Sequence, residues 1–374
     1  MIEKKERNSN LELMRIISTI FIILWHIRIF GNLKHSEYIG NMFNFFMLIF
    51  IVHVNSFVLV TGYFQSKSKF KWGKVLSLFG TTYFYKLLFI VLFVTLGLIS
   101  ITKTDILNIF LYGEEEYWYV KNYIILYLIS PFLNVFIENI SKEKYIKLLI
   151  LLFIIMSILP YISAQLIFGN NGYSLYNFIF LYLIGAYIRK YPPETNYFIK
   201  VFSTNLYRII LLAIFFTMVI LNFNTYTTTM YLKDLSPIFN EIFGKINAML
   251  DIYSNPFVII ESVAYFLFFL SLNFKSKFIN RISTTTFSIY LIHHNHFVRQ
   301  FIYKWLGIDS GYMIYNTRYL LYLLGCGIVI FSACAIIDLV RQSLFKLISN
   351  LKLSKKIKIE TKKFFDSIKI NIPN

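Results

Sequence analysis

The sequence predicts an all-α, polytopic integral membrane protein with about ten transmembrane helices around an intramembrane cavity. Three observations predict this fold class. First, 57% of the 374 residues are hydrophobic and only 15% are charged, which is too apolar for a soluble domain of this length. Second, the apolar residues form runs long enough to cross a bilayer, separated by short polar segments. Third, some runs contain ionisable residues, which avoid lipid by facing a protein interior or a watery cavity.

The apolar runs and the basic loops between them define a topology. The predicted spans are 12–30, 43–64, 83–101, 121–138, 145–163, 175–190, 206–223, 256–272, 284–303 and 318–340. The loops on the N-terminal side of the membrane carry about three times as many Lys and Arg residues as the opposite loops. This asymmetry predicts that both termini are cytoplasmic, and it explains the net charge of +18 without nucleic acid. No small-residue cleavage site follows Phe30, so the first run is predicted to be a retained span.

Two parts of the chain follow from this topology, a transmembrane domain at 1–345 and a basic cytoplasmic tail at 346–374. The tail alternates Lys with apolar residues, a pattern typical of a segment held to anionic lipid at the inner leaflet. Cys326 and Cys334 lie in one late apolar run, which indicates neither a disulfide framework nor a thiolate metal site.

The first span carries an arginine near its start and a histidine near its end. Arg15 and His26 are eleven positions apart, which is about 20° past three whole turns and about 16.5 Å of rise, so both side chains point the same way. A histidine can take a proton from an attacking hydroxyl, or it can be a packed core residue. Arg15, with Glu12 to orient it, can bind a phosphorylated cosubstrate or extend to the lipid headgroups.

Two later segments also carry polar groups at membrane depth. The second span ends in FVLVTGYF, where Thr61 offers a hydroxyl and Gly62 allows a close helix approach or a kink. His53 and Asn55, earlier in that span, are weaker candidates for the same cavity. A run of three histidines between Ser288 and Arg299 lacks a nearby carboxylate, which does not favour a metal site. His293 is predicted to face the cavity, and His294 and His296 are predicted to lie near the outer boundary.

Aromatic residues open the fourth span. Trp118 and Tyr119 begin WYVKNYIILYLISPFLN, and aromatic rings at a membrane edge serve as interfacial anchors or as surfaces on which sugar rings stack. The sequence alone does not separate these two uses. No nucleophile elbow, P-loop or dinucleotide-binding motif is present.

Together these segments resemble the acyltransferase 3 family of integral-membrane O-acyltransferases, in particular the stand-alone bacterial members that modify surface polysaccharides. NSNLELMRIISTIFIILWH resembles the first helix of the family, with its Arg and His at this spacing. FVLVTGYF resembles a Ser/Thr-Gly-Tyr/Phe motif, and WYVKNYIILYLISPFLN resembles the family's aromatic entry into a Leu-Tyr-Leu-x-Ser-Pro helix. SIYLIHHNHFVR is similar to a late Tyr-Leu-x-His motif, and IIDLVRQSLF resembles the close of the last span.

The resemblance implies ten core spans, no bound cofactor, an acyl-CoA cosubstrate (commonly acetyl-CoA) from the cytoplasm and a glycan or lipid-linked sugar acceptor at the outer side of the bacterial plasma membrane. It implies that His26 and Arg15 are catalytic. The donor would be bound by Arg15, Glu12, Thr61, Gly62, Tyr63, Lys69 and Lys71, and the acceptor by Trp118, Tyr119, Tyr290 and His293. The loop SKSKFKWGKV has lysines where many members carry arginines, and the outer hydrolase-like domain of some relatives is not found.

These observations favour an O-acetyltransferase acting on capsular polysaccharide, exopolysaccharide or another envelope glycan. His26 would act as a base or form a covalent acyl intermediate. Two alternatives belong to other classes. A transporter or flippase of a lipid-linked glycan would use Arg15 and His26 to bind its cargo, and an envelope glycan polymerase would need arginines in the loop at 224–255, which has none.

Overall fold

A computed structural model of the chain describes residues 7–31, 34–35, 37–100, 102, 117–163, 172–193, 204–308, 313–314 and 318–349. These residues are almost entirely helical, which confirms the predicted all-α class. Two short strands, β1 (Lys34–His35) and β2 (Met313–Ile314), pair in parallel. Most of the predicted tail, 350–374, lies outside the described residues.

The described residues form fifteen α-helices, together with a π-helical segment and a 3₁₀ turn. In chain order they are α1 (Ser9–Phe30), α2 (Glu37–Phe50), α3 (His53–Gln65), α4 (Trp72–Thr95), α5 (Trp118–Asn139), α6 (Lys142–Phe153), a π-helical segment (Ile154–Ile158), α7 (Leu159–Ser163), α8 (Leu175–Lys190), α9 (Thr204–Lys233), α10 (Pro237–Asn247), α11 (Pro256–Ser271), α12 (Lys277–Ile282), a 3₁₀ turn (Ser283–Thr285), α13 (Thr286–His293), α14 (His296–Trp305) and α15 (Arg318–Ser349).

Among the described residues, seven helical stretches are long and apolar enough to cross a membrane. They are Ser9–Phe30, Gly40–Gln65, Trp72–Thr95, Trp118–Asn139, Lys142–Ser163, Thr204–Lys233 and Arg318–Ile348. The other three predicted spans coincide with α8 and α11, of 16 residues each, and with the interrupted pair α13 and α14. The chain is therefore a multi-pass membrane protein, while the count of about ten and the side of the termini stay predictions.

Three predicted boundaries were wrong, and one of them is the end of the last span, because α15 continues to Ser349 instead of ending at residue 340. The third span begins at Trp72 instead of residue 83. Lys74 suggested a polar loop, but it belongs to the helix and lies 4.4 Å from the Tyr127 ring centroid. Lys86, which was predicted to lie inside the span, lies 5.4 Å from the Tyr117 ring centroid. Helix α9 continues to Lys233, ten residues past the predicted end. Its threonines bond back to helix carbonyls, as Thr225 Oγ1 does to Leu221 at 2.8 Å.

The ninth predicted span is broken at its centre. Helix α13 has only 8 residues and ends beside His294, and α14 starts after Asn295, whose side chain accepts a hydrogen bond from the Val298 amide at 3.4 Å. Non-helical backbone at membrane depth is tolerated where protein surrounds it, and here His294 and Asn295 are buried. The break places two consecutive histidines against α1.

Helices α3 and α8 make the closest approach in the bundle through two glycines. A Cβ atom at Gly62 would lie 2.2 Å from the Tyr182 carbonyl oxygen, and one at Gly185 would lie 2.2 Å from that of Leu59. Only glycine therefore fits at either position, as expected where helix backbones touch. This contact holds α3 in place behind α1, against which α3 also packs.

A buried hydrogen-bond network joins α4 to α15. Asp338, fully buried, accepts hydrogen bonds from the Tyr85 hydroxyl, from Arg341 Nε and from Gln342 Nε2, each at 2.7 Å. The carboxylate is thus paired and fully hydrogen-bonded, which is the condition for keeping a charge inside a helix bundle.

Candidate active site

A cavity of about 430 Å³ lies inside the helix bundle beside α1. Helices α1, α3, α4, α5 and α13 supply most of its wall. The polar and aromatic side chains at this wall include Arg15, His26, Thr61, Lys74, Trp118, Tyr119 and Tyr290. The structure therefore brings together residues from four separate motifs of the sequence.

One end of the cavity is cationic. Arg15 Nη1 lies 3.4 Å from Glu12 Oε2, so the i, i+3 pair expected on α1 is formed. Lys74 of α4 lies over the rings of Tyr123 and Tyr127 at 5.7 Å and 4.4 Å, where a cation is stabilised by the aromatic faces.

Arg15 also has a hydrogen-bond donor that no described residue uses. Its Nε is buried and has no hydrogen-bond partner among the described residues. An unused buried N–H is costly unless a ligand accepts from it, and guanidinium groups bind phosphate through paired N–H groups. The Arg15 and Lys74 end of the cavity is thus suited to a phosphorylated ligand.

At the other end of the cavity, His26 lines the wall and forms a hydrogen bond with His293, which was predicted to face the cavity but is buried and not among its lining residues. His26 Nδ1 lies 2.9 Å from His293 Nε2, and His293 Nδ1 lies 2.6 Å from the Ile289 carbonyl oxygen. A carbonyl oxygen only accepts, so the His293 proton is on Nδ1, and Nε2 of a neutral His293 is an acceptor. His26 must then donate from Nδ1, which leaves its Nε2 as a free lone pair.

This chain of hydrogen bonds fixes the tautomer of His26, with the proton on Nδ1 and the lone pair on Nε2. The second nitrogen of a histidine sets the role of the first, and a base must present its lone pair to the hydroxyl that it deprotonates. His294 stacks on the His26 ring at 4.3 Å between centroids and limits the rotation of that ring. His26 therefore has the tautomer and the fixed orientation of a general base.

Three histidines, His26, His293 and His294, lie close together in this region. Within the part of the chain that the structure describes, no three His, Cys, Asp or Glu side chains converge with the geometry of metal ligands. The direct hydrogen bond between His26 and His293 uses the nitrogens that a shared ion would need.

Aromatic rings form the wall near the histidines. Trp118 lies 4.4 Å from Tyr173 and 6.0 Å from Tyr253 between ring centroids, and Tyr119 lies 6.1 Å from Tyr290. Burial raises the pKa of Tyr253 well above its usual value, so its hydroxyl stays protonated. Trp25 also lines this region, and its indole N–H is buried without a partner among the described residues.

The other residues predicted to bind the donor lie elsewhere. Gly62 faces α8, and Tyr63 accepts a hydrogen bond from Arg189 Nη1 at 3.0 Å on the far side of α3. Lys69 and Lys71 are exposed in the connection before α4 and do not line the cavity. Their donor-binding role stays a prediction that this arrangement does not favour.

Several residues that line the cavity were not predicted from the sequence. Lys74 was assigned to a loop, although its position one turn into an apolar run after Trp72 is compatible with a helix. His294 was placed at the outer boundary, and no local pattern marks Trp25, Tyr173 or Tyr253. These residues become neighbours only through contacts between distant helices.

Comparison with known proteins supplies an independent finding. A family model described as an acyltransferase domain matches residues 8–338, nearly the whole chain. The comparison with curated proteins gives no match, and the comparison with solved structures gives none.

Proposed function

The chain belongs to the acyltransferase 3 family, and from this premise we propose that it moves an acyl group, commonly acetyl, from cytoplasmic acyl-CoA to a sugar hydroxyl of a capsular polysaccharide, exopolysaccharide or other surface glycan. The proposed location is the bacterial plasma membrane, with both termini cytoplasmic. The observation that carries the proposal is that His26 lines the same cavity as Arg15 and is hydrogen-bonded to His293.

The donor would enter from the cationic end. Arg15 and Lys74 would bind phosphate groups of CoA, and the apolar wall of Ile22, Val54 and Phe57 would surround its pantetheine arm. Arg15 and His26 are separated by about 16.5 Å along α1. An extended arm is needed to bring a thioester across that distance, and CoA carries its thioester at the end of such an arm.

The reaction uses His26 as a base. Nε2 of His26 takes the proton of the sugar hydroxyl while the hydroxyl oxygen forms a bond to the thioester carbonyl carbon. The carbon–sulfur bond then breaks, the acyl group stays on the sugar, and the CoA thiolate leaves with the proton returned by His26. During the step the charge on the imidazolium is stabilised by the hydrogen bond from its Nδ1–H to His293.

The acceptor would lie against the aromatic wall. Trp118, Tyr119 and Tyr290 present ring faces and hydroxyl groups beside His26, which suits a sugar ring with its apolar face and several hydroxyls. The unpartnered Trp25 N–H is a further donor for a sugar oxygen. A glycan or lipid-linked sugar fits this wall better than a purely apolar acceptor, because the wall combines ring faces with hydrogen-bonding groups.

Acyl content of the host glycan tests the proposal. Proton NMR measures O-acetyl groups on the surface polysaccharide of cells that contain the wild-type protein, His26→Ala or His296→Ala at matched membrane levels. His296→Ala is the control, because His296 is exposed on α14. We expect the signals to disappear in His26→Ala alone, with polymer yield and length unchanged. Purified protein should also release CoA from acetyl-CoA in the presence of the glycan.

The same experiment detects the alternative classes. If His26→Ala keeps O-acetylation but stops polymer export, the cavity serves transport. If it shortens the polymer with acetylation unchanged, the protein acts in polymerisation. Either result overturns the proposed acyl transfer.

A further inference from the structure

A second cavity, of about 590 Å³, lies at the end of the bundle that carries the N-terminal residues of α1. Thr61 lines the first cavity and Tyr63 lines the second. Because two positions on a helix are about 200° apart, the cavities lie on opposite faces of α3. The wall of the second cavity includes the polar residues Asn8, Asn10, Tyr63, Thr204, Ser271 and Asn273.

Two arginines are attached to this wall. Arg189 Nη1 donates to the Tyr63 hydroxyl at 3.0 Å, with the guanidinium 4.9 Å from the Tyr63 ring centroid. Arg208 Nη2 donates to the Ser271 carbonyl at 2.7 Å, and its Nε donates to Ser271 Oγ at 3.3 Å. The two guanidinium groups do not line the cavity themselves; they lie one hydrogen bond away from it, beside Tyr63 and Ser271, on two different helices, α8 and α9.

Within the described part of the chain, no carboxylate lies within ion-pair distance of these two arginines. Among the described residues, ion pairs involve Arg7, Arg15, Arg28, Lys67, Lys245 and Arg341. Neither Arg189 nor Arg208 forms one. Two guanidinium groups without a carboxylate partner among the described residues make the nearby polar cavity favourable for an anion such as phosphate.

The surroundings of the cavity indicate a membrane-surface ligand. Leu206 and Ile209, on either side of Arg208 in the sequence, are 43% and 61% exposed. They belong to a helix long and apolar enough to span the membrane, so exposed apolar side chains at its end contact lipid. A phosphate bound near Arg208 would thus lie at headgroup level with acyl chains beside it.

We propose that the second cavity binds a phosphate group, as the headgroup of an anionic phospholipid or as free phosphate. This site is separate from His26 and from the first cavity, so it does not depend on the proposed acyl transfer. Bound lipid would bridge α3, α8, α9 and α11 and stabilise that side of the bundle.

Thermal unfolding of the full-length protein in detergent tests the site. Phosphatidylglycerol, inorganic phosphate and diacylglycerol, which has the acyl chains but no phosphate, are each titrated against the wild-type protein, the double variant Arg189→Gln/Arg208→Gln and the control Arg281→Gln. Arg281 is an exposed arginine at the same end of the bundle. We expect phosphatidylglycerol to raise the Tm of the wild-type and control proteins, and to act on the double variant only at about tenfold higher concentration or more.

The three titrations distinguish a phospholipid headgroup from free phosphate as the ligand. Stabilisation by phosphatidylglycerol alone supports the lipid headgroup, and equal stabilisation by inorganic phosphate with the same arginine dependence supports free phosphate. Equal responses of all three proteins, or an equal effect of diacylglycerol, overturn the site. A higher KM for acyl-CoA in the double variant with unchanged lipid response also overturns it, because the arginines would then serve the donor.

A second variant guards against a folding defect. Arg189→Lys/Arg208→Lys keeps both charges and should retain most of the response to phosphatidylglycerol. If this variant folds and loses the response as fully as the Gln variant, charge is not what binds the ligand and the proposal fails.

Discussion

The Nδ1 atom of His26 lies 2.9 Å from the Nε2 atom of His293. The contact joins the first helix to the short helix α13, across 267 positions of sequence. The Ile289 carbonyl accepts a hydrogen bond from His293 Nδ1 at 2.6 Å. This backbone contact fixes the direction of both hydrogen bonds, because His293 Nε2 must then accept from His26 Nδ1. The free lone pair on His26 is its chemical consequence.

His293 is predicted to position His26. Replacing His293 with Ala removes the acceptor for His26 Nδ1–H, so we expect kcat to fall about 10²-fold with little change in the KM for acyl-CoA. His293→Gln offers a side-chain oxygen as a substitute acceptor and should recover part of the activity. Steady-state kinetics on both variants test this, and equal losses in Ala and Gln variants at equal Tm would contradict it.

Arg15 is predicted to bind the donor through its guanidinium fork. We expect Arg15→Lys to raise the KM for acyl-CoA about tenfold, because the charge is kept but the paired donors are lost. Lys74→Gln should raise the same KM, while Lys69→Gln, an exposed lysine outside the cavity, should not. If Lys69→Gln raises the KM for acyl-CoA as much as Lys74→Gln does, the donor binds at the loop before α4 instead of in the cavity.

Trp118 is predicted to contact the acceptor and not the donor. Trp118→Ala removes a ring from the aromatic wall, so the KM for the glycan should rise about tenfold with the KM for acyl-CoA unchanged. Trp118→Phe keeps a ring face, so its KM for the glycan should lie between that of the wild-type protein and that of Trp118→Ala. The measurement is initial rate against glycan concentration at saturating acyl-CoA, and an effect on the acyl-CoA KM alone would assign Trp118 to the donor.

Gly62 is predicted to be needed for stability. In Gly62→Ala the new methyl group would meet the Tyr182 carbonyl at 2.2 Å, so the helices must separate, at a cost of about 1–3 kcal/mol. Gly80→Ala is the matched control, since nothing lies within 4 Å of a Cβ atom there, and alanine should favour that helix slightly. Thermal unfolding in detergent measures both, and an unchanged Tm in Gly62→Ala would show that the close approach is dispensable.

Local patterns predicted the features that depend on one helix alone. Length and hydropathy identified the apolar helices, and helix periodicity placed Arg15, His26 and Glu12 on one face of α1. The Glu12 and Arg15 pair formed as expected because residues three positions apart on a helix are neighbours whatever the rest of the chain does.

The features that were missed depend on contacts between helices. Lys74 suggested a loop because a charge is unfavourable in lipid, but it lies in α4 with its ammonium group over the rings of Tyr123 and Tyr127. The break after α13 was missed as well, since no glycine or proline interrupts the run around His294.

By itself, then, the sequence determined a multi-pass helical membrane protein of the acyltransferase 3 family and the shared face of Arg15 and His26, because hydrophobicity and helix geometry act within a single segment. Tertiary structure alone decided that His293 is the partner of His26, that Lys74 joins Arg15, and that Gly62 and Tyr63 face away from the cavity. These outcomes depend on how distant helices pack, and on which buried polar groups then find one another.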